Sequence, residues 1–269
     1  MNDYEWIKKI LQKIKERKPL IHHLTNYVVM NDSANITLAI GALPIMALEE
    51  VELDDITNMA SAVLLNIGTL KQDEINHMLV AGKYANFKNL PLILDPVGAG
   101  ASKFRTRTAK NLLQNLKISI IKGNSFEIAT LIDLPAEGIG VDATPSNKNY
   151  ANIAKEAAKK YRAIVLVTGE KDFVSDGDKV FEIEGGSSLM SKVTGCGCML
   201  GSIVASFAAI ESDNLLMASL GASIFFKSVG KVAEQRSSLP GSFRNNLIDS
   251  AYLIANDEEK LNAIWREEK

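Results

Sequence analysis

An α/β fold, with a mixed but mostly parallel central sheet and helices on both of its faces, is predicted by three features of the 269-residue chain. Short β-branched apolar runs alternate with longer segments of helical period. The runs end in polar or Gly-containing turns, as buried parallel strands do. One late pair of runs flanks Asp176-Gly177-Asp178, a hairpin signal that adds antiparallel strands at one edge.

Taken in order, Met1–Lys18 carries charge on one side and Trp6, Ile7, Ile10, Leu11 and Ile14 on the other, which predicts an amphipathic helix. It lacks the continuous apolar core of a signal peptide, so the expected location is cytoplasmic. Strands are predicted at Leu20–Thr25, Ala62–Ile67, Leu90–Asp95, Ile118–Lys122 and Ala163–Thr168. Between the last strand and its predecessor, Tyr150, Ile153, Ala154, Ala157, Ala158 and Tyr161 recur at helical spacing. The hairpin pairs Asp172–Ser175 with Lys179–Ile183. From Gly195 onward the chain reads as almost entirely helical, with Cys196–Ile210 and Leu215–Glu234 rich in small residues. Residues 1–269 show no repeat, no low-complexity stretch and no linker, and are read as a single domain.

Composition narrows the function classes. Hydrophobic residues make up 46% and charged residues 23%, enough to build a core and unlike a disordered chain. A net charge of −2 and a pI near 6.0 lack the positive field that sequence-independent nucleic-acid binding needs, so no nucleic-acid partner is expected. The longest apolar runs fall short of the roughly 20 residues that span a bilayer, and no membrane partner is expected. Two cysteines, Cys196 and Cys198, give neither a disulfide framework nor a zinc count.

In open α/β sheets ligands gather at the carboxyl ends of the strands. Here those ends read Thr25-Asn26, Asn66-Ile67-Gly68-Thr69, Asp95-Pro96-Val97-Gly98-Ala99-Gly100, Lys122-Gly123-Asn124-Ser125 and Thr168-Gly169-Glu170. Turn chemistry alone explains any one of them, but not easily all five. The strongest element is Val193-Thr194-Gly195-Cys196-Gly197-Cys198-Met199-Leu200, two glycines opening a small-residue helix. Its first amides, Gly195 to Cys198, and the helix dipole suit a phosphate or a developing anion. Neither a Walker A loop nor GxGxxG is present there. Cys198, in the first turn, is expected to have a lowered thiol pKa and to accept a proton from a substrate hydroxyl, against the plain reading of a buried small residue. Asp95 and Glu127 are placed to hold Mg²⁺, mostly through water, beside nucleotide phosphates; Glu127 alone would pass as a first-turn acid. Lys122 is expected to offset phosphate charge. His22 and His23, adjacent on a strand, point to opposite faces and cannot share one ion, so one is read as packed or hydrogen-bonded. His77 is read as solvent-facing.

In order, Ile21–Ala47, Asn66–Thr69, Asp95–Ala101, Lys122–Ile128, Val167–Gly177 and Val193–Leu200 resemble the hydroxyethylthiazole kinase family, within the ribokinase-like superfamily. The resemblance implies a ribokinase-like fold and a homotrimer with active sites between subunits. It further implies ATP- and Mg²⁺-dependent phosphorylation of the alcohol of 4-methyl-5-(2-hydroxyethyl)thiazole in thiamine salvage. By motif, it carries thiazole contacts to Asn26, Val28, Met46 and Gly195, and ATP contacts to Lys122 and Thr168. The metal side falls to Asp95 and Glu127, and the catalytic position to Cys198. The chain departs from the family in having Lys122 for the usual Arg, which loses the bidentate fork, and in His23, Cys196 and the segment after Met46. Kinases for hydroxymethylpyrimidine or pyridoxal-type alcohols lack the Thr25–Asn31 block. A nucleotide-dependent dehydratase and a non-catalytic thiazole binder are separated from this reading by product assay.

Overall fold

The computed structural model describes residues 3–134, 136–137, 144–145, 149–257 and 259–268. Its first helix, α1 (Glu5–Arg17), buries Ile7, Ile10, Leu11 and Ile14 and ends at Lys18 in the left-handed conformation; Met1 and Asn2, where the predicted helix began, lie outside the described residues. The order continues β1 (Leu20–Leu24), α2 (Met30–Ala39), β2 (Leu43–Ile45), α3 (Leu53–Met59), β3 (Ala62–Asn66) and α4 (Gln72–Phe87). Then follow β4 (Leu92–Asp95), α5 (Lys103–Asn115), β5 (Ile120–Asn124) and α6 (Ser125–Leu131). A two-residue ladder pairs β6 (Ala136–Glu137) with β7 (Thr144–Pro145). The chain proceeds through α7 (Tyr150–Tyr161), β8 (Ile164–Thr168), β9 (Lys171–Ser175), β10 (Val180–Glu184), α8 (Cys196–Ile210), α9 (Leu215–Arg236), α10 (Pro240–Ala255) and β11 (Ile264–Glu268).

One nine-stranded sheet runs in the order β11-β10-β9-β8-β5-β4-β3-β1-β2. From β2 to β8 all neighbours are parallel, whereas β9, β10 and β11 add on antiparallel. Period-two alternation sends successive residues of each strand into different cores. Ile21, Leu64, Ile93 and Leu166 join the core beneath α1, α2, α8, α9 and α10. Leu24, Leu65, Leu94 and Val165 join the core beneath α4, α5, α6 and α7. The predicted three-layer fold is thus observed, and the hairpin Lys171–Glu184 lies where expected.

The structure adds two strands that were not expected. The chain beyond Gly195 is not wholly helical: β11 pairs antiparallel with β10 at the sheet edge. Its Arg266-Glu267-Glu268 sequence hid it, because edge strands carry charge. The three-residue β2, with Pro44 at its centre, was also unpredicted, as short edge strands with proline are. By length and composition α9 would cross a bilayer, but 78% of its apolar window is buried inside the fold, which makes it a core helix.

Candidate active site

Parallel strands of one sense put their carboxyl ends on one rim, and there the polar turns converge. Asn26, just past β1, donates from Nδ2 to Asn66 Oδ1 (2.8 Å) at the end of β3. Asn66 in turn donates to Asp95 Oδ2 (3.0 Å) at the end of β4. Lys122 of β5 donates from Nζ to the same Asp95 oxygen (2.8 Å) and to the Gly197 carbonyl (2.8 Å). This chain of polar side chains crosses four strands and meets the start of α8. Lys122 and Asp95 are 3% and 1% exposed. Burial is the largest influence and opposes the Lys122 charge, but Asp95, together with Cys198 and Glu127, more than offsets it and holds the ammonium above its usual range. Asp95 Oδ1, by contrast, is buried with no hydrogen-bond partner.

Glu127 sits beside this pair because α6 opens with a capping box, Asn124 Oδ1 accepting from the Glu127 amide and Glu127 Oε2 from the Asn124 amide, both at 2.8 Å. Glu127 Oε1 accepts from the Gly98 amide (2.8 Å). Burial, and then the neighbouring Asp95, push its carboxyl up to about 7, against the pull of those two amides.

Helix α8 begins with Gly195 at φ +88°, and a Cβ there would lie 2.3 Å from Val29 Cγ1. Glycine is therefore required on both backbone and steric grounds. Having no side chain, Gly195 leaves the first-turn amides of Cys196, Gly197 and Cys198 without a side-chain cap, at the positive end of a fifteen-residue helix. The residues expected to form an anion cradle thus stand together at an uncapped helix start. The Cys198 thiol differs from expectation. Burial first, and then Asp95, raise Cys198 above the ordinary thiol range, so the first-turn dipole does not produce a thiolate. Burial and the nearby Asp32 push Cys196 up to about 12. Cys198 Sγ accepts from Asn26 Nδ2 at 3.6 Å.

On the far side of Gly197 opens a cleft of 910 Å³ between the β8–β9 turn and the Gly185–Ser191 segment, lined also by Thr168, Asn124 and Lys227. Thr168, which pairs with Asn124 in the ladder, stands at its edge. The other candidates flank β1. The Val28 amide donates to Asn26 Oδ1 (3.1 Å), while its side chain is 57% exposed. Met46 is half-buried one residue beyond β2, in a segment tied to β1 by a His22 Nε2 contact with the Ala47 carbonyl (2.9 Å). His23, on the opposite face, bonds Ser202 of α8 at 3.2 Å, and burial lowers it to about 4. Both histidines are packed and hydrogen-bonded, not one. His77 is half-exposed on α4.

A family model, that of the hydroxyethylthiazole kinase family, matches residues 11–257. The chain belongs to the hydroxyethylthiazole kinase family. It is 44% identical over 259 residues to "Hydroxyethylthiazole kinase" of Clostridium tetani, covering 94% of each chain. It is 41% identical over 263 residues to that of Methanosarcina mazei, covering 98% of this chain and 100% of the relative. A solved hydroxyethylthiazole kinase protein from Pyrococcus horikoshii superposes with a TM-score of 0.89 at 36% identity, covering 98% and 100% of the two chains. Staphylococcus aureus pyridoxal kinase, solved with AMP-PCP and pyridoxal, shares the ribokinase-like fold at a TM-score of 0.65 and 14% identity, over 93% and 98%.

The rim also holds polar residues that the strand-end motifs did not single out. Asn66 lies in the Asn66–Thr69 turn, to which the sequence assigns no role, yet it joins Asn26 to Asp95. Lys227 and Asp172 form a second buried pair at the cleft wall, 3.1 Å apart. The signal for Lys227 is a lysine set between Phe225-Phe226 and Val229 in the apolar stretch of α9. Among the described residues no cluster of three or more His, Cys, Asp or Glu forms a metal cage. The two carboxylates still fit Mg²⁺, which keeps most of its waters and takes one or two carboxylates plus phosphate oxygens. Asp95 Oδ1 is an unused buried acceptor, and Glu127 is an acid whose charge its surroundings leave undercompensated.

Proposed function

We propose that the protein transfers the terminal phosphoryl group of ATP to the hydroxyl of 4-methyl-5-(2-hydroxyethyl)thiazole, giving the phosphate ester and ADP for thiamine biosynthesis or salvage. The observation that carries this reading is the uncapped start of α8, seated on Gly195 and backed by the Lys122–Asp95 pair, between a nucleotide-sized cleft and the Asn26 side of the rim.

In this mechanism the amides of Cys196, Gly197 and Cys198 surround the transferring group and stabilise its charge. Lys122 anchors Gly197 through its carbonyl and brings a positive charge to the base of the cradle. Thr168 and Lys122 contact ATP, while Asn26, Val28, Met46 and Gly195 orient the alcohol. Asp95 and Glu127 would hold Mg²⁺, which when bound neutralises nucleotide phosphate charge. The new bond joins the alcohol oxygen to the γ-phosphorus as the β–γ bridging bond breaks. The hydroxyl proton leaves late, passing to an oxygen of the transferred phosphoryl group and from there to solvent, since a loose transition state needs little base. A raised Cys198 thiol suits contact with the alcohol better than proton abstraction.

We further read the chain as a cytoplasmic homotrimer. Support comes from Val28 (57% exposed) and the neighbouring Tyr27 (52% exposed), large side chains left open to solvent beside Asn26 on a single chain. Incubation with the thiazole alcohol and Mg·ATP is expected to yield the phosphate ester and one ADP per ester by mass spectrometry. Phosphate release without ester would instead indicate a dehydratase, and ligand binding without turnover a binding protein. Light scattering of purified protein at three chain masses supports the trimer; one chain mass removes it.

A further inference from the structure

The second buried lysine lies outside the proposed chemistry, yet it touches both walls of the cleft. Lys227, on α9, is 7% exposed. Its ammonium donates to the Gly169 carbonyl (2.7 Å) and the Glu170 carbonyl (2.9 Å), and lies 3.1 Å from Asp172 Oδ1. The same Asp172 oxygen accepts from the Gly169 amide (3.0 Å), and Oδ2 accepts from Ser223 Oγ (2.8 Å), one helical turn before Lys227. Both the carbonyl and the amide of Gly169, the residue after Thr168, are thus fixed by one lysine–aspartate pair. The lysine stem completes the second wall. A Cβ on Gly185 would lie 3.3 Å from Lys227 Cβ, and one on Gly186 3.2 Å from Lys227 Cδ, so the glycine pair leaves the stem its path.

A free β8–β9 turn with a glycine at its bend would sample many conformations, and each would have to be narrowed when a nucleotide bound. We infer that Lys227 is a positioning residue for the nucleotide: with Asp172 and Ser223 it locks the Thr168–Lys171 turn and thereby preforms the ATP side of the cleft without touching the reacting atoms. The inference rests on the kinase reading for its kinetic arm only, because nucleotide binding is measurable without turnover. An interaction made equally in ground and transition states moves KM and leaves kcat, which a general loss of packing does not do selectively for one substrate.

The test compares the full-length protein with Lys227→Met, which keeps the stem and removes the ammonium, and Ser223→Ala, which removes one bond to Asp172. Lys227→Met is expected to raise the KM for ATP about tenfold, with kcat and the KM for the thiazole alcohol moving less than about twofold. Mg·ADP affinity by calorimetry is expected to fall in parallel, and Ser223→Ala to move the same quantities in the same direction by less. An unchanged ATP KM and ADP affinity in a folded Lys227→Met overturns the proposal, as does an equal loss for the alcohol. If Lys227→Met does not fold, Ser223→Ala decides by the same criteria. Should wild type make no ester, the kinase reading fails while the ADP calorimetry still tests Lys227.

Discussion

Two buried lysine–aspartate pairs flank the start of α8, and they are finished differently. Around Asp172 every bond is closed: Oδ1 meets Lys227 and the Gly169 amide, and Oδ2 meets Ser223. Around Asp95 one oxygen receives Lys122 and Asn66 while Oδ1 has no partner at all. A buried acceptor without a partner costs free energy, so a fold keeps one where something else is to fill it. The closed pair shapes a wall; the open pair is fitted to take part in chemistry. On the proposed reading the same residue types at similar burial do different work, and unspent bonding capacity is what separates them.

The sharpest break of this comparison is one substitution made in both pairs. Asp95→Asn removes the negative charge facing the buried Lys122 ammonium and leaves one acceptor oxygen where there were two, and kcat is expected to fall about a thousandfold, about 4 kcal/mol. Asp172→Asn is expected to lower the melting temperature while leaving kcat within about threefold. Equal losses of kcat in steady-state assays would erase the distinction. Next in size comes the cradle between the pairs. Gly195→Ala places a methyl group against Val29 at a positive φ, a conformation costing about 1–3 kcal/mol for a non-glycine residue. The helix entrance must shift, and a displacement near 1 Å is expected to cost about a hundredfold in kcat. An alanine variant with wild-type turnover would mean that the amides do not hold the transferring group.

The open and the closed pair were not equally legible in the sequence. Strand ends announce themselves locally, so Asp95, Lys122 and Glu127 were found by asking which residues follow each apolar run, and β1, β3, β4, β5 and β8 fell within a few residues of their predicted spans. Lys227 and Asp172 are 55 positions apart and lie on a helix and a hairpin, so no spacing rule links them. Cys198 shows the converse. Its place in the first turn of α8 was read correctly, but its protonation depends on burial and on Asp95, more than 100 positions away, and the local dipole argument gave the wrong direction. The cradle was legible because it is made of consecutive residues.

Glu127 offers a smaller effect with a defined sign. Its carboxyl titrates at about 7 in the folded chain against 4.5 for the free side chain. Between those values the folded state holds a proton that the unfolded state has lost, so this contribution to stability is full below pH 4.5 and disappears as pH rises through 7. It amounts to about 3 kcal/mol. His23, lowered from 6.5 to about 4, acts oppositely over pH 4 to 6.5, so the wild-type curve mixes both. The clean quantity is the difference between wild type and Glu127→Gln in urea melts without Mg²⁺. Wild type is expected to lose ground to the variant from pH 4.5 to 7, and added Mg²⁺ is expected to restore it above pH 7. A difference independent of pH would show that Glu127 is charged throughout, and the argument for a metal-side acid would lose its electrostatic half.

The smallest expected effect concerns the residue that the sequence made most prominent. Cys198 Sγ lies 3.6 Å from Asn26 Nδ2, inside the polar chain that ends at Asp95, and its thiol is held above the ordinary range by burial and by that carboxylate. At neutral pH it is protonated and has no free thiolate to offer the alcohol. Cys198→Ser and Cys198→Ala are therefore expected to lower kcat by less than about tenfold, with no change in the shape of the pH–rate profile between pH 6 and 9. Serine keeps an acceptor for Asn26 and is expected to be the milder of the two. A loss beyond about a hundredfold in both variants, with an alkaline limb of the profile removed, would make the sulfur the base. The open Asp95 pair and the amide cradle would then share the catalysis with a group that the burial argument assigns only to contact.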